Sequence, residues 1–230
     1  MISLRANLPT QGELSMKNAP ARLLAEFLGV FFLCGFGIGA ITNGVDLLGV
    51  ALAHGIAIFV AVSAFGHISG GHFNPAVTIA MAATKRITPT DAGAYIVAQV
   101  LGGALAALIP KMAYGSFAGV PALGTTTNVS TGILMEAIAT FILMITIMGV
   151  AADKAGSFNV VGGLPIGLAI TGGIMTIGPA TGAALNPARW LGPALVNGDL
   201  SNAVVWTVGP IAGALVAAFL YDTVVKPARA

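Results

Sequence analysis

The chain has 230 residues, 57% of them hydrophobic and only 8% charged, where ordinary soluble domains carry roughly a quarter charged. So few charges cannot cover a water-facing surface, which places most of the chain in lipid. A net charge of +2 gives a nucleic-acid partner no electrostatic support, and the single Cys34 excludes an intrachain disulfide or a cysteine metal cluster.

The stretch before Arg22 is polar, contains Pro9, Glu13 and Pro20, and lacks the apolar core of a cleaved signal peptide. Residues 1–19 read as a cytoplasmic segment ahead of a single domain over 20–230. The first apolar run, Leu23 to Ile41, is long enough for a retained membrane helix.

Six runs are long enough to cross a bilayer as helices, which takes roughly 20 residues. They cover 20–42, 47–67, 89–113, 130–152, 161–178 and 201–225. The runs are continuous rather than alternating, so helices are favoured over barrel strands. Two shorter segments, 68–86 and 179–197, are partly apolar, and each carries Asn-Pro-Ala: Asn74-Pro75-Ala76 and Asn186-Pro187-Ala188. They read as re-entrant half-crossings, a backbone tolerated at membrane depth only where it is buried in protein or lines a water-filled cavity. The expected class is an all-α membrane protein with six transmembrane helices and two re-entrant half-helices.

If residue 1 is cytoplasmic, the inner face receives Arg5, Lys17, Arg22, Lys85, Arg86, Lys154, Lys226 and Arg229, and the outer face only Lys111. This positive-inside bias places both termini in the cytoplasm. The tenth cation, Arg189, stands beside the second triplet.

The chain repeats itself. Asn74 and Asn186 are 112 residues apart, and the same offset pairs Gly55 with Gly167, Gly66 with Gly178 and Gly70 with Gly182. Each half, about 20–115 and 128–228, holds three spans, an odd number, so the second copy enters the membrane from the opposite side. Such an inverted repeat puts a functional site near the midplane. Gly35 and Gly39, Gly163 and Gly167, and Gly209 and Gly213 are spaced for close helix packing.

Asn is a favoured N-cap and Pro suits the first helical turn, so each Asn-Pro starts a helix, over about 76–85 and 188–197. Their positive ends meet at the midplane, and each Asn amide is free to donate to a permeating oxygen.

Gly66-His67-Ile68-Ser69-Gly70-Gly71-His72-Phe73-Asn74-Pro75-Ala76-Val77-Thr78 closely resembles the first signature of the aquaporin (major intrinsic protein) family, and Thr181-Gly182-Ala183-Ala184-Leu185-Asn186-Pro187-Ala188-Arg189 the second. The resemblance covers the chain beyond Lys17 and implies a passive water channel that excludes protons and ions, without cofactor, assembled as a homotetramer. It makes the carbonyls of Gly70, Gly71, His72, Phe73, Gly182, Ala183, Ala184 and Leu185 a ladder of acceptors along the pore. It also gives Glu26 and Glu136 a bracing role on the re-entrant loops, with His67 a further brace. By register from the signatures, His54, Ile174, Ala183 and Arg189 form the selectivity filter; a buried, satisfied histidine is the competing reading of His54, and its register favours the filter.

That set is similar to the plant tonoplast-type subgroup, whose wider filters admit ammonia, urea or hydrogen peroxide besides water. Trp190, directly after Arg189, departs from the Asp of glycerol facilitators. A glycerol or small-solute facilitator is the alternative reading. A secondary transporter would need coupling carboxylates near the midplane, where this sequence has Asn and Ala. Ser69 has neighbouring histidines but no orienting acid, so an enzyme is not expected. The histidines His54, His67 and His72 form no metal set at ligand spacing. Asn128-Val129-Ser130 has the form of a glycosylation acceptor. The short loops point to a prokaryotic cell membrane, with a vacuolar membrane open if the source is a plant.

Overall fold

The computed structural model describes residues 18–155 and 162–227. The described chain is helical, in the order α1 (Ala19–Thr42), α2 (Leu47–Ser69), α3 (Pro75–Ala83), α4 (Pro89–Tyr114), α5 (Val129–Ile147), α6 (Leu164–Thr181), α7 (Pro187–Asn197) and α8 (Ala203–Leu220). A π-helical turn extends α5 over Met148–Ala152 and another extends α8 over Tyr221–Val225. Six of these helices are long and apolar enough to cross a membrane. The two short ones, α3 and α7, are the expected half-helices. The N-terminal segment lies outside the described residues except for its last two, as do Arg5, Lys17, Arg229 and the expected start of the fifth span at 161.

Local chemistry sets most boundaries. Asp46, Thr88 and Asn128 cap α2, α4 and α5 by accepting from Gly49 N, Asp91 N and Thr131 N. The Asn128 side chain, glycosylation acceptor in form, is thus engaged as a helix cap. Pro89 and Pro187 sit in the first turns of α4 and α7, where a missing N–H has no consequence.

One pair of boundaries differs from expectation. Helices α2 and α6 run on to Ser69 and Thr181, past the 67 and 178 read from the apolar runs. They stop where Gly70 and Gly182 adopt left-handed conformations, φ 91° and 72°. The extended limb of each re-entrant segment is therefore only four residues, Gly70–Phe73 and Gly182–Leu185.

The two halves pack as a pseudo-symmetric pair. Helix α1 lies against α2 and α4, α5 against α6 and α8, while α3 is held by α8 and α7 by α4. The halves join where α2 crosses α6 at Gly55 and Gly167. A Cβ on Gly55 would stand 2.6 Å from the Gly167 carbonyl oxygen, and one on Gly167 2.4 Å from that of Gly55. Gly163, Gly209 and Gly213 are similarly crowded, but a Cβ on Gly35 or Gly39 meets nothing within 4 Å among the described residues. That first pair does not serve close packing within the chain, because this stripe of α1 faces away from its neighbours. Large apolar side chains such as Leu101 (56% exposed), Leu134 (59%) and Val216 (60%) cover the outward surface, as a hydrocarbon surround permits.

Candidate functional site

The two four-residue limbs enter the bundle from opposite ends. Each contains backbone that non-glycine residues rarely adopt: Phe73 has φ 47°, Ala183 46° and Leu185 53°. Such strain persists only where the surroundings over-determine it. Here a buried carboxylate does so in each half.

Glu26 Oε1 accepts from His72 N at 3.0 Å and from Ser69 Oγ at 2.6 Å, and its Oε2 accepts from Phe73 N at 2.7 Å. Glu136 Oε1 accepts from Ala184 N at 2.9 Å and Thr181 Oγ1 at 2.7 Å, and its Oε2 from Leu185 N at 2.7 Å. The Ser69 and Thr181 hydroxyls each accept in turn, from Gly71 N and Ala183 N, both at 3.1 Å. A third element closes each frame from behind. Tyr95 Oη donates to the Ser69 carbonyl at 2.8 Å, and Trp206 Nε1 to the Thr181 carbonyl at 2.9 Å. These interactions correspond one for one between the halves.

The frames are elaborated differently. In the first half, Gln99 Nε2 donates to Glu26 Oε2 at 2.7 Å and to Thr78 Oγ1 at 3.0 Å, and His72 Nδ1 lies 3.2 Å from the same hydroxyl. Arg22 Nε donates to Tyr95 Oη at 2.8 Å. In the second half, Trp206 instead stacks on Trp190, with ring centroids 5.5 Å apart. Trp190 is therefore buried in packing behind the loop.

At the centre the triplets clasp one another. Asn74 Oδ1 accepts from Ala76 N, and Asn186 Oδ1 from Ala188 N and Arg189 N, so both cap their half-helices. Asn74 Nδ2 donates to the Leu185 carbonyl at 2.8 Å, and Asn186 Nδ2 to the Phe73 carbonyl at 2.7 Å. This corrects the expectation of a free amide: one N–H of each Asn is spent on the opposite loop, and one remains. Within the expected ladder, the Phe73 and Leu185 carbonyls each accept one bond across the centre, which leaves each oxygen a second lone pair. With Glu26 and Glu136 fixing the limbs, those two oxygens point at the partner Asn.

Three cavities follow one another through the bundle. The first, about 590 Å³, opens beside α3 and is bordered by Gly70, Gly71, His72, Arg86, Asp153 and Asp222, among others. The second, about 20 Å³, is lined by His72, Phe73, Asn74 and Asn186 on one side and by Ile58, Val62, Leu143, Ile147, Ile166 and Ile170 on the other. The third, about 210 Å³, lies toward the α1–α2 turn and is bordered by Val50, His54, Ile174, Gly178, Gly182 and Arg189. Val50, His54, Ile58 and Val62 form one fourth-residue row on α2, and Ile166, Ile170, Ile174 and Gly178 one on α6. Each row spans the second and third cavities, so polar loops face apolar helix walls along the path.

Of the four positions expected at the narrow point, His54, Ile174 and Arg189 border the third cavity together, and Ala183 lies buried in the adjoining limb. His54 Nδ1 lies 2.8 Å from the Val50 carbonyl, which can only accept, so this nitrogen carries the proton. Arg189 Nη1 donates to the Gly119 carbonyl at 2.8 Å, on the loop between α4 and α5. His67 does not join this arrangement. It is exposed on α2 and makes no hydrogen bond among the described residues, because its position on the helix turns it away from the buried face that carries Ser69. The bracing expected of it is performed by Ser69, Gln99 and Tyr95.

Comparison with known proteins decides the family. The model of the family described as "Major intrinsic protein" matches residues 13–221. The chain belongs to this family. The major intrinsic protein described here is 39% identical over 213 residues to Aquaporin NIP1-1 of Zea mays, covering 88% of this chain and 74% of that protein. It is 40% identical over 211 residues to Aquaporin TIP4-4 of the same plant, covering 88% and 84%. Among solved structures it resembles the aquaglyceroporin of Plasmodium falciparum, with a TM-score of 0.78, 26% identity and coverage of 91% and 98%. This major intrinsic protein is thus a multi-pass membrane channel and not an enzyme. Sequence reasoning passes over Tyr95 and Gln99, whose signal is a hydroxyl or an amide on an otherwise apolar run, and gives Thr78 and Trp206 no bracing role.

Proposed function

We propose that this major intrinsic protein conducts water in single file and excludes ions and protons. The observation that carries this reading is the small cavity at the Asn74–Asn186 clasp. Its volume of about 20 Å³ suits about one water, and each Asn keeps one N–H to donate there. A water passing the clasp trades bulk partners for these donors and for carbonyls of Gly70, Gly71, His72, Phe73, Gly182, Ala183, Ala184 and Leu185. The apolar row opposite holds it loosely. Two half-helix N-termini and the buried Arg189 raise the potential along the path, and among the described residues no carboxylate borders the small cavity to relay a proton.

The finer selectivity follows from the filter. His54, Ile174, Ala183 and Arg189 leave more room than a bulkier set, so ammonia and other small neutral solutes follow water. The tonoplast-type pattern of these four residues supports this over a glycerol-first channel. Arg86, Lys154 and Lys226 border the large mouth, whereas Lys111 stands at the far end of α4, bonded to the Val196 carbonyl. That asymmetry supports cytoplasmic termini. The repeated frames support one channel domain over 20–230 made of two inverted copies. The resemblance supports a homotetramer with one pore per subunit.

Stopped-flow shrinkage of proteoliposomes tests the reading. The expected result is water permeability well above protein-free vesicles, with a low activation barrier and no ion dependence. Permeability equal to lipid alone, or coupled to an ion, would sink it. Ammonia uptake on the same vesicles tests the filter assignment separately.

A further inference from the structure

We propose that Gly37 of α1 is a positioning residue that sets the width of the filter by giving the His54 ring somewhere to retreat. The proposal rests on the filter reading above.

His54 is 2% exposed, and its Nδ1 is tied to the Val50 carbonyl one turn back on its own helix at 2.8 Å. That bond orients the ring but does not say which way its far edge points. The glycine opposite does. A Cβ on Gly37 would stand 2.0 Å from His54 Nε2, 2.2 Å from Cε1 and 2.6 Å from Cδ2, where real Cβ atoms do not come within 3.0 Å. The ring therefore fills the volume that a side chain at 37 would occupy. Its Nε2 is buried there without a hydrogen-bond partner among the described residues.

An unpaired ring nitrogen turned into a helix flank, rather than toward the neighbouring cavity, is not where hydrogen bonding alone would put it. The bond to Val50 and the notch left by Gly37 hold it back. A side chain at 37 must expel the ring. The open space bordering His54 is the cavity of about 210 Å³ that it shares with Ile174 and Arg189. Displacement in that direction narrows the filter and presents Nε2 to the solute. Gly37 thus keeps the passage wide without touching it.

The test compares wild type, Gly37→Ala, His54→Ala and the double variant in proteoliposomes, measuring water, ammonia and urea permeability on each. Gly37→Ala is expected to lower ammonia and urea permeability relative to water on the order of tenfold, the low end of what one methyl group decides in a fitted pocket. In the His54→Ala background the same change is expected to have no effect, because there is no ring to displace. An equal loss in both backgrounds would show that Gly37 acts through helix packing and overturns the proposal. If His54→Ala alone changes solute ratios but Gly37→Ala does not, the filter reading stands and the positioning role is refuted. If His54→Ala changes no ratio, the filter reading itself fails and the proposal falls with it. Should Gly37→Ala fail to accumulate, recovery of yield and melting temperature in the double variant supports the clash, and no recovery overturns it.

Discussion

Trp190 lies stacked on Trp206, with ring planes within 17° of each other, while the Trp206 indole N–H holds the Thr181 carbonyl at 2.9 Å. The residue after Arg189 thus acts from behind the loop, through a neighbour that fixes where α6 ends. Trp206→Phe keeps most of the apolar surface but removes the donor, leaving a buried carbonyl unpaired at about 1–3 kcal/mol. The expected outcome is a lower melting temperature in detergent, with water permeability per folded protein reduced less than in Asn186→Asp. A melting temperature equal to wild type would show that the indole N–H contributes nothing.

Glu136→Gln leaves the carboxylate's place to a side chain with one acceptor oxygen. Three donors, Ala184 N, Leu185 N and Thr181 Oγ1, then compete for it, and the amide N–H₂ faces at least one of them. Each donor left without an acceptor costs about 1–3 kcal/mol. Thermal unfolding is expected well below wild type. Thr181→Val should produce a smaller drop, since the two backbone bonds to Glu136 survive.

Asn186→Asp exchanges the Nδ2 donor for an oxygen, so the Phe73 carbonyl loses its partner and meets a negative oxygen instead. The carboxylate also sits against two positive half-helix ends and lowers the barrier to cations. Water permeability should fall and a cation leak should become measurable in vesicles loaded with a pH-sensitive dye. Unchanged water flux with no leak would contradict the proposed role of the clasp.

Gly167→Ala places a methyl group 2.4 Å from the Gly55 carbonyl oxygen, at a crossing of two backbones that cannot give way locally. Gly35→Ala adds the same atom where nothing lies within 4 Å. The first variant is expected to lose folded protein, at the upper end of the roughly 1–3 kcal/mol typical of overpacking. The second should match wild type in yield and melting within error by size-exclusion chromatography and thermal scans.

Much of this was legible in the residues. Composition and apolar runs set six spans and two half-crossings, because burying a peptide in hydrocarbon leaves only a few solutions. Asn-Pro at 74–75 and 186–187 marked the half-helix starts, since capping chemistry acts within three residues. The 112-residue offset gave the inverted repeat. Tertiary structure alone decided where the chain's polar groups end. Asn74 reaches Leu185, Tyr95 reaches Ser69 and Gln99 reaches Glu26 across 111, 26 and 73 residues, distances at which no local rule operates. It carried α6 through Pro179 to Thr181, turned His67 outward and lodged the His54 ring against Gly37. The sequence determined that two Asn-Pro-Ala triplets would start helices in a membrane. Only packing of the halves determined that each Asn spends one N–H on the other's loop and leaves its second N–H uncommitted to that loop.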